Sequence, residues 1–188
     1  LVPIFRERRA ARRDLGAEPA TLLLAAQTAQ LEGKDDVAQL KFKTMLEEPE
    51  TRFLGLRGLL ADAVNRGAYQ EALALAREAY SLRPSTPWVL TTLFDLLTRS
   101  EQWAEAMNVV NQIGRLKLFH KDEVQRRRAL LHHMMAEEAL DNDRLEDALV
   151  YAREANRRFP RFAPATVLAA TVSAALGRKG QARRLLER

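Results

Sequence analysis

The sequence predicts an all-α fold, a right-handed α-α solenoid of stacked helical hairpins. Three observations predict it. First, a short phrase recurs: Gly67-Ala68-Tyr69-Gln70-Glu71-Ala72-Leu73, then Glu101-Gln102-Trp103-Ala104-Glu105-Ala106-Met107, then Asp143-Arg144-Leu145-Glu146-Asp147-Ala148-Leu149. Gly177-Arg178-Lys179-Gly180-Gln181-Ala182-Arg183 is a fainter copy, and 34 residues before Ala72 lies Ala38, with Gly33 at the turn. Second, the pivot alanines Ala72, Ala106, Ala148 and Ala182 stand 34, 42 and 34 residues apart. Third, alanine, leucine, arginine and glutamate dominate while glycine and proline are few, which is a helical composition.

Each copy has one anatomy. A first helix leads into a short polar turn. A large residue follows (Tyr69, Trp103 or Leu145), then an acid, the alanine and an apolar residue that open a second helix. The alanine lets two helices approach closely, and the large residue is expected to cover the open end of the hairpin. Pro84 and Pro160 stop second helices, because proline cannot continue a helix interior. Pro19, Pro87 and Pro164 open first helices, with Thr86 an expected N-cap. Hairpins are thus expected at 19–52, 53–86, 87–120, 129–162 and 163–188, the last cut inside its second helix. Residues 1–18 would form a preceding helix. Eight extra residues near 114–128 would lengthen a helix or a loop. Gly55 and Gly58 stand inside a first helix, where each costs about 1 kcal/mol relative to alanine. Close approach of a neighbouring helix is the expected reason.

The charge balance narrows the function classes. The chain of 188 residues carries a formal net charge of +5. Residues 1–14 hold five arginines against Glu7 and Asp14, and residues 178–188 hold five basic groups against Glu187. The remainder sums to −2, so basicity belongs to the ends and no central nucleic-acid face is expected. There is no cysteine, which excludes disulfides, thiolate metal sites and cysteine nucleophiles. No apolar run reaches about 18 residues. The start, apolar and then charged, is the reverse of a signal peptide, and a cropped chain would read the same.

No catalytic constellation is present, and no enzyme activity or cofactor is expected. The sequence lacks His-Glu-x-x-His, Gly-x-Ser-x-Gly and a Walker loop. Asp35/Asp36 and Glu137/Glu138 are adjacent on helices and diverge by about 100°, so they read as solvated faces. Glu47-Glu48-Pro49-Glu50 reads as a charged turn between hairpins, and Arg126-Arg127-Arg128 as an exposed helix start that could also meet an acidic partner.

The helical alanines and the terminal prolines resemble the tetratricopeptide repeat, although the first helices lack that family's usual tryptophan and glycine. "LLLAAQTAQLEGKDDVAQLKFKTMLEEPETRFLGLRGLL", "RPSTPWVLTTLFDLLTR" and "ALVYAREANRRFPRFAPATVLAA" resemble, more closely, the bacterial HemY family over about residues 15–188. This is the tetratricopeptide HemY, not the flavin-dependent protoporphyrinogen oxidase of the same name. The resemblance implies the soluble domain of an inner-membrane-anchored bacterial protein, facing the cytoplasm, associated with protohaem biosynthesis. The anchor would be absent from this chain.

In tetratricopeptide arrays certain positions of each first helix face a concave groove. Carried onto this sequence, they are Gln27, Gln30, Arg57, Asn65, Trp88, Thr91, Asp95, Arg99, His133, Glu137 and Asp141. Trp88, at the groove edge, could grip a peptide. The family's carboxylate clamp is missing, because Ala61 occupies the clamp's asparagine position after Arg57. The expected partner is a protein or peptide, such as a haem-pathway enzyme. Two alternatives stay open: an RNA-binding repeat, which would need a uniformly basic groove, and direct haem or porphyrin binding at Leu130-Leu131-His132-His133-Met134-Met135. Neighbouring histidines cannot share one ion as an i, i+4 pair can. His132 and Met135 are expected between the helices of their hairpin, Met134 between repeats, and His133 in the groove.

Overall fold

The computed structural model describes residues 19–187. The proposed helix within residues 1–18 lies outside these. The described residues form ten α-helices: α1 Pro19–Leu31, α2 Asp35–Thr44, α3 Pro49–Asn65, α4 Tyr69–Leu82, α5 Pro87–Arg99, α6 Trp103–Arg115, α7 Lys121–Asp141, α8 Leu145–Arg158, α9 Ala163–Ala175 and α10 Lys179–Leu186. Consecutive helices pair as α1–α2, α3–α4, α5–α6, α7–α8 and α9–α10. The chain divides into two compact units, residues 1–84 and 85–188. Within the first, α1 also packs on α3; within the second, α7 packs on α9.

The pivot alanines do what their spacing predicts. Ala38, Ala72, Ala106, Ala148 and Ala182 are all buried. Each sits one turn into a second helix, where a larger side chain would hold the paired first helix away. In the first unit Ala38 joins Ala26, Ala29, Phe42, Met45 and Leu59 in one core cluster. In the second, Ala148 joins Ala136, Ala139, Leu149, Ala152, Ala169 and Val172.

Every hairpin turn repeats one hydrogen-bond pattern. The Lys34 amide donates to the Ala29 carbonyl while the Gly33 amide donates to Gln30. The same crossed pair recurs from Ala68 and Gly67, Gln102 and Glu101, Arg144 and Asp143, and Arg178 and Gly177. This is the Schellman ending, which satisfies carbonyls that a helix C-terminus leaves bare. It requires a left-handed residue at the turn. Glycine supplies it at Gly33, Gly67 and Gly177, with φ from 70° to 74°. Glu101 (φ 56°) and Asp143 (φ 58°) hold the same conformation with a Cβ. A non-glycine residue there costs about 1–2 kcal/mol, against about 0.5–1 kcal/mol of extra chain entropy for glycine. Glu101→Gly is therefore expected to raise stability by about 0.5 kcal/mol, and Gly67→Ala to lower it by about 1 kcal/mol. Thermal unfolding of the two variants checks both signs.

The extra residues lengthen a first helix. α7 has 21 residues, against 13 in α1, α5 and α9. It starts at Lys121, so the fourth hairpin begins eight residues before the expected 129. A further Schellman ending, with Lys117 at φ 53°, closes α6 just before it. The second hairpin likewise starts early. Pro49 is at the first position of α3 and Glu48 is its extended N-cap, so Glu47-Glu48-Pro49-Glu50 is half turn and half helix. Proline fits there because the first helical N–H has no partner in the helix. Thr86 occupies the N-cap before Pro87, but its side chain makes no capping hydrogen bond. Asp35 and Asp36 lie exposed in the first turn of α2, where carboxylates favour the helix dipole. Tyr69 is 39% exposed and Trp103 half-buried, so neither large residue at these turns is fully enclosed.

Gly55 and Gly58 mark a close crossing of α3 over α2. A Cβ on Gly55 would meet the Phe42 carbonyl oxygen at 2.7 Å and the Met45 Cβ at 3.0 Å. A Cβ on Gly58 would lie inside the Phe42 ring's contact radius. The Thr51 hydroxyl, buried on α3, donates to the Met45 carbonyl at 2.7 Å and ties the two helices at their connection.

Candidate functional site

The α2–α3 crossing shapes a cleft in the first unit. The cleft holds about 220 Å³ and is lined by Leu23, Gln27 and Gln30 of α1, Phe42 of α2, and Leu54, Arg57, Gly58 and Ala61 of α3. Three of the expected groove residues therefore meet at one place. Gln27 and Arg57 are exposed and Gln30 is half-buried. Phe42, from a second helix, is buried behind the cleft with its ring packed on Gly58. The result is an apolar wall of half-buried Leu23 and Leu54 with two amides and a guanidinium at the rim. Such a site accepts an apolar side chain and hydrogen-bonds the carbonyls or carboxylates around it. Asn65 is exposed at the last residue of α3, outside this lining.

The remaining expected groove residues fall in the second unit. On α5, Trp88 and Thr91 are half-buried, and the Thr91 hydroxyl donates to the Trp88 carbonyl at 3.0 Å. Asp95 and Arg99 are exposed. The Asp95 carboxylate lies 4.0 Å from the Arg127 guanidinium, which also pairs with Glu123 and covers the Phe94 and Phe119 rings at 4.8 and 4.9 Å. Asp141 is exposed at the end of α7.

His133 does not face an open groove. It is 9% exposed and meets Phe162 edge-on, with ring centroids 5.1 Å apart. Its Nε2 is 3.4 Å from the carboxylate of half-buried Glu137, and its Nδ1 is buried without a hydrogen-bond partner. Phe162, the N-cap residue of α9, lies across it. His132 turns toward α8, half-buried beside Tyr151, with Nδ1 2.7 Å from the Arg128 carbonyl. Burial holds its pKa below the ordinary histidine value. Met134 and Met135 are both half-buried. The two histidines thus diverge. Among the described residues no group of three or more His, Asp or Glu side chains is placed to hold a metal ion.

The Arg126–Arg128 run is no exposed helix start. It lies in the second turn of α7, and only Arg126 is exposed. Arg126 stacks over Phe159 at 5.2 Å, while Arg127 and Arg128 are half-buried. Nearby, Glu154 is clasped by Arg157 at 2.6 Å and Arg158 at 2.7 Å. The hydrogen bond from Arg157 comes first in lowering its pKa to about 2, and Arg158 adds to it. A carboxylate held below its ordinary 4.5 stabilises the fold above that pH and loses the contribution as pH falls toward 2. His132, a base held below its ordinary 6.5, works in the same direction below that pH. Stability is therefore expected to fall from pH 7 to pH 3. Glu154→Gln should flatten the lower part of the curve, removing about 1 kcal/mol of the drop. Urea unfolding across that range measures it.

Residues 63–131 match the sequence model of the Tetratricopeptide repeat family. The chain is similar in structure to YrrB, described as a TPR protein with an unusual peptide-binding site: TM-score 0.56, 17% identity, 95% of this chain and 88% of that one. A crystal structure of MamA aligns with TM-score 0.55 at 13% identity, over 90% of this chain and 88% of that one. This is a tetratricopeptide-type fold. A tetratricopeptide repeat protein from Parabacteroides merdae gives TM-score 0.54 at 15% identity, covering 95% of this chain and 68% of that one. No curated protein matches the sequence significantly. Of the cleft in this tetratricopeptide-type fold, sequence positions identified Gln27, Gln30 and Arg57, while Leu23, Phe42 and Leu54 were missed. The signal for Phe42 was present in Gly58, whose missing side chain lets the ring of a neighbouring helix pack on it.

Proposed function

We propose that the chain is a non-enzymatic scaffold whose first-unit cleft holds a segment of a polypeptide partner. The observation that carries this is the meeting of Gln27, Gln30 and Arg57 around the apolar wall of Leu23 and Leu54. An apolar wall takes one apolar side chain, and the amide and guanidinium rim fixes the backbone on either side of it. The tetratricopeptide-type fold supports the reading, as does the peptide-binding site described for YrrB. Within that reading, the HemY-like phrases support a soluble domain of a membrane-anchored bacterial protein associated with haem biosynthesis, with a haem-pathway enzyme as its partner. The cytoplasmic side is the expected face. No helix of the described residues is long and apolar enough to cross a membrane.

The test is crosslinking from inside the cleft. A photoreactive residue at Gln27 or Arg57 of the anchored protein should capture one dominant partner, and mass spectrometry should identify a haem-pathway enzyme. Capture of a dominant partner from another process would remove the haem assignment and leave the scaffold standing. Absence of cleft-specific capture would remove both.

A further inference from the structure

A second pocket lies where the chain lengthens α7. It holds about 800 Å³, within the range of small-molecule sites, and is built from the end of α6, the connection 116–120 and the first turns of α7. Four of its lining residues are cationic: Arg115, Lys117, Lys121 and Arg128. No carboxylate lines it; Asp122 lies 3.7 Å from the imidazole of His120, itself a lining residue, and Glu123 pairs with Arg127. Arg115, Lys117 and Lys121 make no ion pair among the described residues. Between the cations the wall is apolar, formed by Leu118, Phe119 and buried Val124.

Arg128 is the most telling member. It is half-buried, its Nε is shut from solvent without a hydrogen-bond partner, and it has no carboxylate partner. A nitrogen of its guanidinium would stand 3.3 Å from a Cβ on Gly114, so glycine there leaves the space it occupies. Behind it, Arg158 is paired with Glu154 at 2.7 Å and donates to Gln125, another lining residue, at 3.3 Å. Burial comes first in pushing the Arg128 pKa down, and Arg158 adds to it. A half-buried guanidinium with no carboxylate of its own is costly unless an anion joins it.

We propose that this pocket is a binding site for an amphipathic organic anion, with a carboxylate or phosphate set among Arg115, Lys117, Lys121 and Arg128 and an apolar body against Leu118, Phe119 and Val124. The site is separate from the first-unit cleft and does not depend on the peptide reading. Four flexible or half-buried cations alone would suit any phosphate. The apolar wall selects an anion that carries hydrocarbon.

The probe is 1-anilinonaphthalene-8-sulfonate, followed by fluorescence with the whole chain and displaced by decanoate, decanol or inorganic phosphate. Decanoate is expected to displace the dye at concentrations where decanol and phosphate do not. Lys117→Gln and Arg128→Gln should each weaken decanoate about tenfold, and Arg128→Lys should retain most of the affinity. Lys117 is exposed, so its variant keeps the fold, which circular dichroism verifies. Equal displacement by decanol, displacement by phosphate alone, or unchanged decanoate affinity in Lys117→Gln would each overturn the proposal.

Discussion

Ala148→Leu is expected to destabilise the protein by about 3 kcal/mol, the upper part of the range for overpacking a closed core. Ala148 is fully buried in the cluster of α7, α8 and α9, beside Ala136, Ala139, Ala152 and Ala169. These alanines bring the helices together, and with Leu149 and Val172 filling the same cluster no cavity is left for three added carbons. The leucine could enter only by moving α8 off α7, which breaks the contact that defines the hairpin. Leucine is as good a helix former as most residues, so propensity cannot account for the loss. For a chain of this size the midpoint of thermal unfolding should fall by about 6–12 °C. Val150→Leu, at a position 63% exposed on the same helix, should leave it nearly unchanged.

Gly55→Ala carries the second large effect, and two opposing terms set its sign. Alanine in place of glycine inside a helix gains about 1 kcal/mol. Here its methyl group would sit 2.7 Å from the Phe42 carbonyl oxygen, a backbone atom that no rotamer change can move. Separating α3 from α2 costs about 1–3 kcal/mol and also strains the Thr51 hydrogen bond to Met45. The net expectation is a loss of up to about 2 kcal/mol, seen as a lower urea midpoint. Gly180→Ala reverses the sign. Nothing lies within 4 Å of that Cβ, and alanine should stabilise α10 by up to about 1 kcal/mol. Opposite signs for one substitution at two helical glycines isolate the helix crossing from propensity.

The elements visible in the sequence were those fixed by local chemistry and a constant period. The recurring alanines marked the second helices, because a close helix pair needs a small residue at one recurring place. Prolines marked helix starts at Pro87 and Pro164, because proline fits only where no helical N–H is needed. The errors came where the period changes. Eight added residues moved the start of α7 from the expected 129 to Lys121, since a lysine- and arginine-rich stretch is compatible with helix or loop. That shift placed Arg128 in a pocket wall, although the run it belongs to reads as a solvated face. His133 was misplaced for another reason: Phe162, from the start of the next hairpin, covers it. Phe42 is a buried core residue of a second helix, and its packing on Gly58 of the next hairpin is not announced by its own position.

The most direct test of the scaffold reading is photo-crosslinking efficiency at Arg57, in the cleft, against Ala74, exposed on α4. Arg57 should give one discrete crosslinked species, Ala74 little, and an Ala61→Trp change, at an exposed position of the cleft wall, should abolish the Arg57 product while circular dichroism stays helical. Equal crosslinking at both positions, or an Arg57 product that survives Ala61→Trp, would contradict the account.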